Sequence, residues 1–143
     1  MGLLDGKTIL ITGGGNGIGK ATALMAGAMG ANVVVNDLGG TLTGDDAGDA
    51  GPAESVAAEI RAAGGAAISN SDSVTDFEAV QEMIESAKKE FGGLDSIINP
   101  AGILRDGMFH KMSEDDWDSV IAVHLRGSFN VARASVEYFR DKE

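Results

Sequence analysis

Residues 9–21 read "ILITGGGNGIGKA", and this stretch decides the fold. A short β-branched run, "KTILIT" over 7–12, stops abruptly in glycines, and "GIGKATALMAGAMG" over 17–30 then resumes with apolar residues at helical spacing. The expected unit is strand, tight turn, helix. Gly13, Gly17 and Gly19 occupy the turn in the spacing G-x-x-x-G-x-G. A backbone bare of β-carbons lets a diphosphate approach, and the first N–H groups of the helix point positive charge at it. A plain glycine-rich turn is the bland alternative, and the flanking strand and helix argue against it.

The same alternation continues outward from this unit. "ANVVVN" over 31–36 is short and apolar enough for a buried strand, and "PAESVAAEIRAAGG" over 52–65 opens in Pro and closes in Gly as helices do. Between them residues 38 to 51 form a long Gly/Asp-rich insertion. Then follow a weak strand "AAISN" over 66–70 and an amphipathic helix within 75–93, whose Thr75 and Glu78 have capping-box spacing. A fourth strand, "LDSIIN" over 94–99, precedes a long last helix that Ser113 and Asp116 bracket at its start. Trp117 and Phe129 are expected to anchor that helix in the core.

Strand and helix alternate four times with no boundary between them. The predicted fold is therefore α/β: a Rossmann-like parallel sheet of about four strands with helices on both faces, forming one dinucleotide-binding domain over 1–143. The first strand should lie between the second and fourth, leaving the fourth as an apolar edge with unpaired backbone.

Asp37 ends the second strand, 18 residues beyond Gly19. An acid at that place accepts hydrogen bonds from ribose hydroxyls and repels a 2′-phosphate, which favours NAD over NADP. Asp45, Asp46 and Asp49 in the insertion are conceivable metal ligands, but a solvated acidic loop is the better reading, and no metal is expected. A nucleotide hydrolase is disfavoured, because the paired lysine and Ser/Thr it requires do not follow the glycines.

Composition narrows the partners. The net charge is −11, from 22 acids against 11 bases, which repels nucleic acid and anionic membrane alike. The chain has no cysteine, so disulfides and thiolate zinc sites are excluded. No apolar run approaches a membrane span and no basic leader opens the chain, so a cytoplasmic location is expected.

Taken together, "TGGGNGIG", Asp37, "NSDSV", "NPAG" and the long last helix resemble the short-chain dehydrogenase/reductase family over essentially the whole chain. "VVVNDLGG", "AGILRD" and "VHLRGSF" look most like its (3R)-hydroxyacyl-CoA dehydrogenase branch, found in multifunctional β-oxidation enzymes. The resemblance implies that Gly13, Gly15, Asn16, Gly17, Ile18 and Gly19 line the diphosphate and ribose of NAD, with Asp37 and Leu38 at the adenosine ribose. It implies Asp72 and Ser73 at the adenine edge, and Asn99, Ala101 and Gly102 beside the nicotinamide ribose. It further implies NAD-dependent interconversion of a hydroxyl and a ketone on a small-molecule substrate, which the branch resemblance alone narrows to a 3-hydroxyacyl thioester.

Two positions depart from the family pattern. Pro100 stands where a second Asn is usual, which removes a side-chain amide and a backbone donor and should weaken the end of the fourth strand. His124 takes the place of a supporting catalytic Asn. It either relays protons or makes one structural hydrogen bond. Arg105 and Arg126 could meet a substrate anion but read better as exposed solubilising charges, and His110 reads as exposed packing.

Tyr138 and Lys142 sit four apart, the spacing of the family's catalytic pair. No strand separates them from the last helix, and no serine stands about a dozen residues upstream, where Leu125 and Arg126 occur. The pair is expected to be a surface contact at a frayed end. The reactive Ser, Tyr and Lys would then lie beyond residue 143, and the chain alone should have little or no dehydrogenase activity. General acid–base catalysis alone is typically worth about 10² to 10⁴ in rate. The missing strands would come from a further C-terminal segment or from a homo-oligomer partner. A non-catalytic nucleotide-binding or interaction module derived from such an enzyme is the alternative.

Overall fold

The computed structural model describes residues 2–41, 43–44 and 50–141. Four parallel strands form one sheet in the order β3-β2-β1-β4, with β1 at Thr8–Ile11, β2 at Asn32–Asn36, β3 at Ala66–Asn70 and β4 at Ser96–Ile98. This is the predicted order, with β1 central and β4 at the edge. The connections wind one way from β1 through β2 to β3 and the other way to β4. That reversal opens a crevice at the carboxyl ends of β1 and β4.

Helices α1 (Gly17–Ala28) and α2 (Gly51–Ala62) cover one face; α3 (Phe77–Phe91) and α5 (Gly127–Arg140) cover the other. Alternate side chains of the strands supply the two cores. Ile9, Ile11, Val33 and Val35 pack with Ala23, Val56 and Ile60, while Leu10 and Val34 pack with Val80, Met83 and Val131. A strand buried on both faces reads as the unbroken apolar run seen in "VVV", not as an alternation.

Several expectations change in detail. The N-cap of α3 is Asp76, not Thr75: its carboxylate accepts hydrogen bonds from Glu78 N at 3.0 Å and Ala79 N at 3.2 Å. The Thr75 hydroxyl lies 2.8 Å from Ser73 Oγ instead. An ionised carboxylate accepts more strongly than a hydroxyl, which moves the cap by one residue.

The last helix starts as expected, at α4 (Glu114–Ile121), with Ser113 and Asp116 in a reciprocal capping box. The Ser113 hydroxyl and backbone N–H both bond Asp116, holding its carboxyl below the usual aspartate value. A π-helical turn at Ala122–Arg126 then separates α4 from α5.

Trp117 and Phe129 do not anchor the core. They are 56% and 57% exposed, whereas Gly127, Asn130, Val131 and Ser135 are the buried residues of α5. Small and polar residues face inward, so side-chain size misleads there. Arg105 is likewise not an exposed charge: its side chain is 18% exposed and lies 3.7 Å from Asp116. Arg126 and His110 are exposed.

Candidate functional site

A cleft of about 660 Å³ opens at the carboxyl ends of the strands, within the size range of small-molecule sites. Of the residues singled out from sequence, it brings together Gly13, Asn16, Gly17, Ile18, Gly19, Asp37, Leu38, Asp72, Ser73, Ala101 and Gly102. Gly15 and Asn99 stand behind its wall and act on the residues that form it.

The glycine turn is built by necessity. Gly13 and Gly17 have φ of 58° and 50°, in the left-handed region that side chains disfavour. Gly19 is buried, and a β-carbon there would overlap the Gly13 carbonyl. Helix α1 thus begins in contact with the turn. It has no side-chain N-cap bond and no acid in its first turn, so nothing of its own neutralises the positive end. The Lys20 Nζ lies 3.3 Å from Glu59 on α2, a surface ion pair.

Asp37 closes the turn from the β2 side. Its Oδ2 accepts from Gly15 N and its Oδ1 from Gly39 N, both at 2.8 Å. Two backbone donors fix the carboxylate while each oxygen retains capacity to accept another hydrogen bond. A β-carbon on Gly15 would stand 2.8 Å from Asp37 Oδ2, so this glycine serves the acid more than it serves the cleft. Gly44 sits beside Ile103 of the opposite wall, a β-carbon there meeting Ile103 Cδ1 at 3.2 Å. Asp45, Asp46 and Asp49 lie outside the described residues, as does Lys142.

The opposite wall depends on Asn99. Its Oδ1 accepts from the Thr12 hydroxyl, and its Nδ2 donates to Ser128 Oγ at 3.0 Å. Thr12 N also donates to Ile98 O at 3.0 Å. β4 is only three residues long, but its end is therefore tied to β1 and α5 without any contribution from residue 100.

His124 lies in the π-helical turn, with Nε2 2.9 Å from Ile103 O and 3.2 Å from Ile103 N. Its ring packs on Gly102, where a β-carbon would stand 2.5 Å from Cε1. The tautomer decides which of the two Ile103 groups it bonds. Either way the ring holds the 102–103 segment of the wall.

Tyr138 lies far from this cleft in the fold. Its hydroxyl accepts from Leu94 N at 3.2 Å, before the start of β4, and Lys88 Nζ sits 5.3 Å from its ring centroid. The cleft is at the other end of the strands.

Sequence reasoning did not single out Thr12, Asn36 or Ser128. Asn36 had a visible signal: a polar amide closing the run "VVV" in a strand read as buried must have a partner. Thr12 and Ser128 carried none, since their partner Asn99 is distant in sequence.

Residues 7–143 match the model of a family described as short chain dehydrogenase. A peroxisomal hydratase-dehydrogenase-epimerase of Neurospora crassa is 48% identical over 139 residues, 97% of this chain and 15% of the relative. A hydroxyacyl-CoA dehydrogenase of Mycobacterium tuberculosis is 40% identical over 139 residues, 97% of this chain and 42% of the relative. The crystal structure of carveol dehydrogenase from Mycobacterium avium in complex with NAD superposes with a TM-score of 0.87 at 25% identity, covering 96% of this chain and 51% of that one. The chain spans about half or less of the length of these relatives. With the doubly wound sheet, the glycine turn at its switch point and a family match over nearly all its length, this chain belongs to the short chain dehydrogenase family.

Proposed function

We propose that residues 1–143 are one dinucleotide-binding domain, the NAD-binding portion of a dehydrogenase that interconverts a hydroxyl and a ketone, with a 3-hydroxyacyl thioester as substrate. The observation that carries the reading is the pairing of free N–H groups at the start of α1 with the Asp37 carboxylate across one cleft. At Gly13 and Gly19 a β-carbon would strike Ala101 and the Gly13 carbonyl, and at Gly17 it would stand in open space at a left-handed φ, so the turn keeps a bare backbone that a diphosphate can approach. Bound NAD supplies the hydride acceptor. The chain's own residues bind and orient: Gly13 to Gly19 receive the diphosphate, Asp37 and Leu38 the adenosine ribose, and Asp72 with Ser73 the adenine edge. Asn99, Ala101 and Gly102 border the other ribose. Asp37 sets preference against a 2′-phosphate by charge. The thioester substrate follows the branch resemblance and the hydroxyacyl-CoA relative.

The tyrosine through which the family resemblance would route proton transfer is not in this cleft among the described residues. The sequence has one tyrosine, and Tyr138 is committed to Leu94 at the other end of the strands. That observation favours, as the second reading, a module that binds the nucleotide without turning over substrate alone. We further infer a homo-oligomer or a C-terminal segment as partner, from the exposed apolar Trp117, Leu125 and Phe129. A cytoplasmic location is proposed with it. None of the described helices is long and apolar enough to cross a membrane.

The test is a fluorescence titration of NADH beside an assay of 3-hydroxyacyl-CoA oxidation. Saturable binding without turnover is expected. Turnover comparable to an intact dehydrogenase would overturn the placement of proton transfer outside residues 1–143.

A further inference from the structure

The carboxyl end of β3 carries more polar structure than a strand end requires. Asn36, on β2, donates from Nδ2 to Asn70 Oδ1 at 2.7 Å and to the Asp72 carbonyl at 2.9 Å. Asn70, closing β3, donates from Nδ2 to Asp72 Oδ2 at 2.7 Å and accepts from Asp72 N at 3.0 Å. Asn130, on α5, donates from Nδ2 to the Val74 carbonyl at 2.9 Å. Three amides from three elements converge on residues 72–74.

We propose that Asn36, Asn70 and Asn130 are positioning residues for base recognition, holding the Asp72–Val74 turn so that Asp72 meets the exocyclic amine of an adenine. This rests on the reading of the cleft as an NAD site and goes beyond it, because none of the three asparagines was assigned a role there.

The burial argues that the network is kept for what it positions. Asn36 and Asn130 are each 1% exposed, among valines, leucine and methionine. Asn130 Oδ1 has no hydrogen-bond partner among the described residues. A half-satisfied amide in a core costs stability that an apolar residue of the same size would not. Its one bond reaches the turn and nothing else. Asn36 also joins the two halves of the cleft, since its carbonyl accepts from Gly14 N at 2.8 Å while its amide holds Asn70 and Asp72. Asn70 engages one carboxylate oxygen of Asp72 and so fixes its orientation. A carboxylate accepts only, so it favours a base presenting an amine and disfavours one presenting a carbonyl at the same place.

That difference gives a readout that stability does not move. Adenine carries an amine where hypoxanthine carries a carbonyl. The full chain is titrated with NADH and with reduced nicotinamide hypoxanthine dinucleotide, and the ratio of dissociation constants is compared among variants. A loss of folded protein lowers both amplitudes alike and leaves the ratio unchanged. The wild type is expected to prefer NADH by about tenfold, the worth of one charge-assisted hydrogen bond. D72A should bring the ratio near one, and N70A and N130L should each bring it most of the way. N70A, at a half-buried position, carries the test if N130L does not fold. If D72A collapses the ratio while both asparagine variants keep it, the positioning claim is overturned and the NAD reading stands. If NADH binds but the wild type shows no preference, Asp72 does not read the base, and the proposal is overturned at its root. If NADH does not bind, the NAD reading itself fails and takes the proposal with it.

Discussion

The two ends of the strands show opposite relations between residue type and role. At the carboxyl ends, around Gly13–Gly19 and Asp37, the residues that look chemical converge on one cleft. At the amino ends, Tyr138 looks equally chemical and instead ties α5 to Leu94 ahead of β4, with Lys88 of α3 over its ring. The difference is one of position in a doubly wound sheet. Helix N-termini and strand carboxyl ends meet only on one side, and only there do bare N–H groups face a crevice. A catalytic-looking side chain on the other side has backbone to bond and core to fill.

Substitutions at the two ends should therefore separate ligand affinity from stability. The largest effect is expected at Gly19. G19V puts side-chain atoms into the Gly13 carbonyl and should weaken NADH binding by on the order of a hundredfold, roughly 2.7 kcal/mol, in a fluorescence titration. Undiminished affinity in a folded G19V protein would break the comparison on the cleft side. D37N comes next. It keeps an acceptor for one backbone donor but loses the charge, and should cost about tenfold in NADH affinity while narrowing the preference over NADPH.

Y138F should act in the other currency. Loss of the bond from Leu94 N is expected to lower unfolding stability by about 0.5–1.5 kcal/mol in urea denaturation, with NADH affinity unchanged. Reduced affinity at unchanged stability would move Tyr138 into the site. The smallest effect concerns the α4 cap. Bonds from Ser113 lower the Asp116 carboxyl in the folded state, so their stabilisation is present above the usual aspartate range and is lost as pH falls through the lowered folded value. Amide-exchange protection at Asp116 N, bonded to Ser113 Oγ at 3.0 Å, should hold at neutral pH and fall in acid. In D116N that acid-dependent loss should be absent.

Legibility in the sequence followed the range of the interactions. The strand–helix alternation and the glycine turn were readable because each is encoded within about twenty residues: an apolar run, its breaker, the next period. The strand order followed from the fold that this alternation and the family resemblance imply. Asp37 was readable for the same reason. The α3 cap moved one residue because Thr75 and Asp76 both satisfy the local pattern, and only the stronger acceptor distinguishes them. Phe129 misled because the burial of α5 is set by close approach of Gly127 to Val74 and by small inward residues, and Trp117 because α4 buries none of its residues, both tertiary facts. The π-helical turn that presents His124 to Ile103 has no local signature, and neither has the contact of Asn130 with Val74, 56 residues apart. Pro100 shows the same limit in reverse. Its loss of an amide was visible, but the tie of the strand end through Asn99, Thr12 and Ser128 was not.

The central claim is that bare backbone at the start of α1 and the carboxylate of Asp37 together bind a dinucleotide lacking a 2′-phosphate. Isothermal calorimetry of the folded chain with NADH and with NADPH tests it most directly. The account predicts saturable one-site heat with NADH and markedly weaker binding of NADPH. No heat with either, or tighter binding of NADPH, would contradict it.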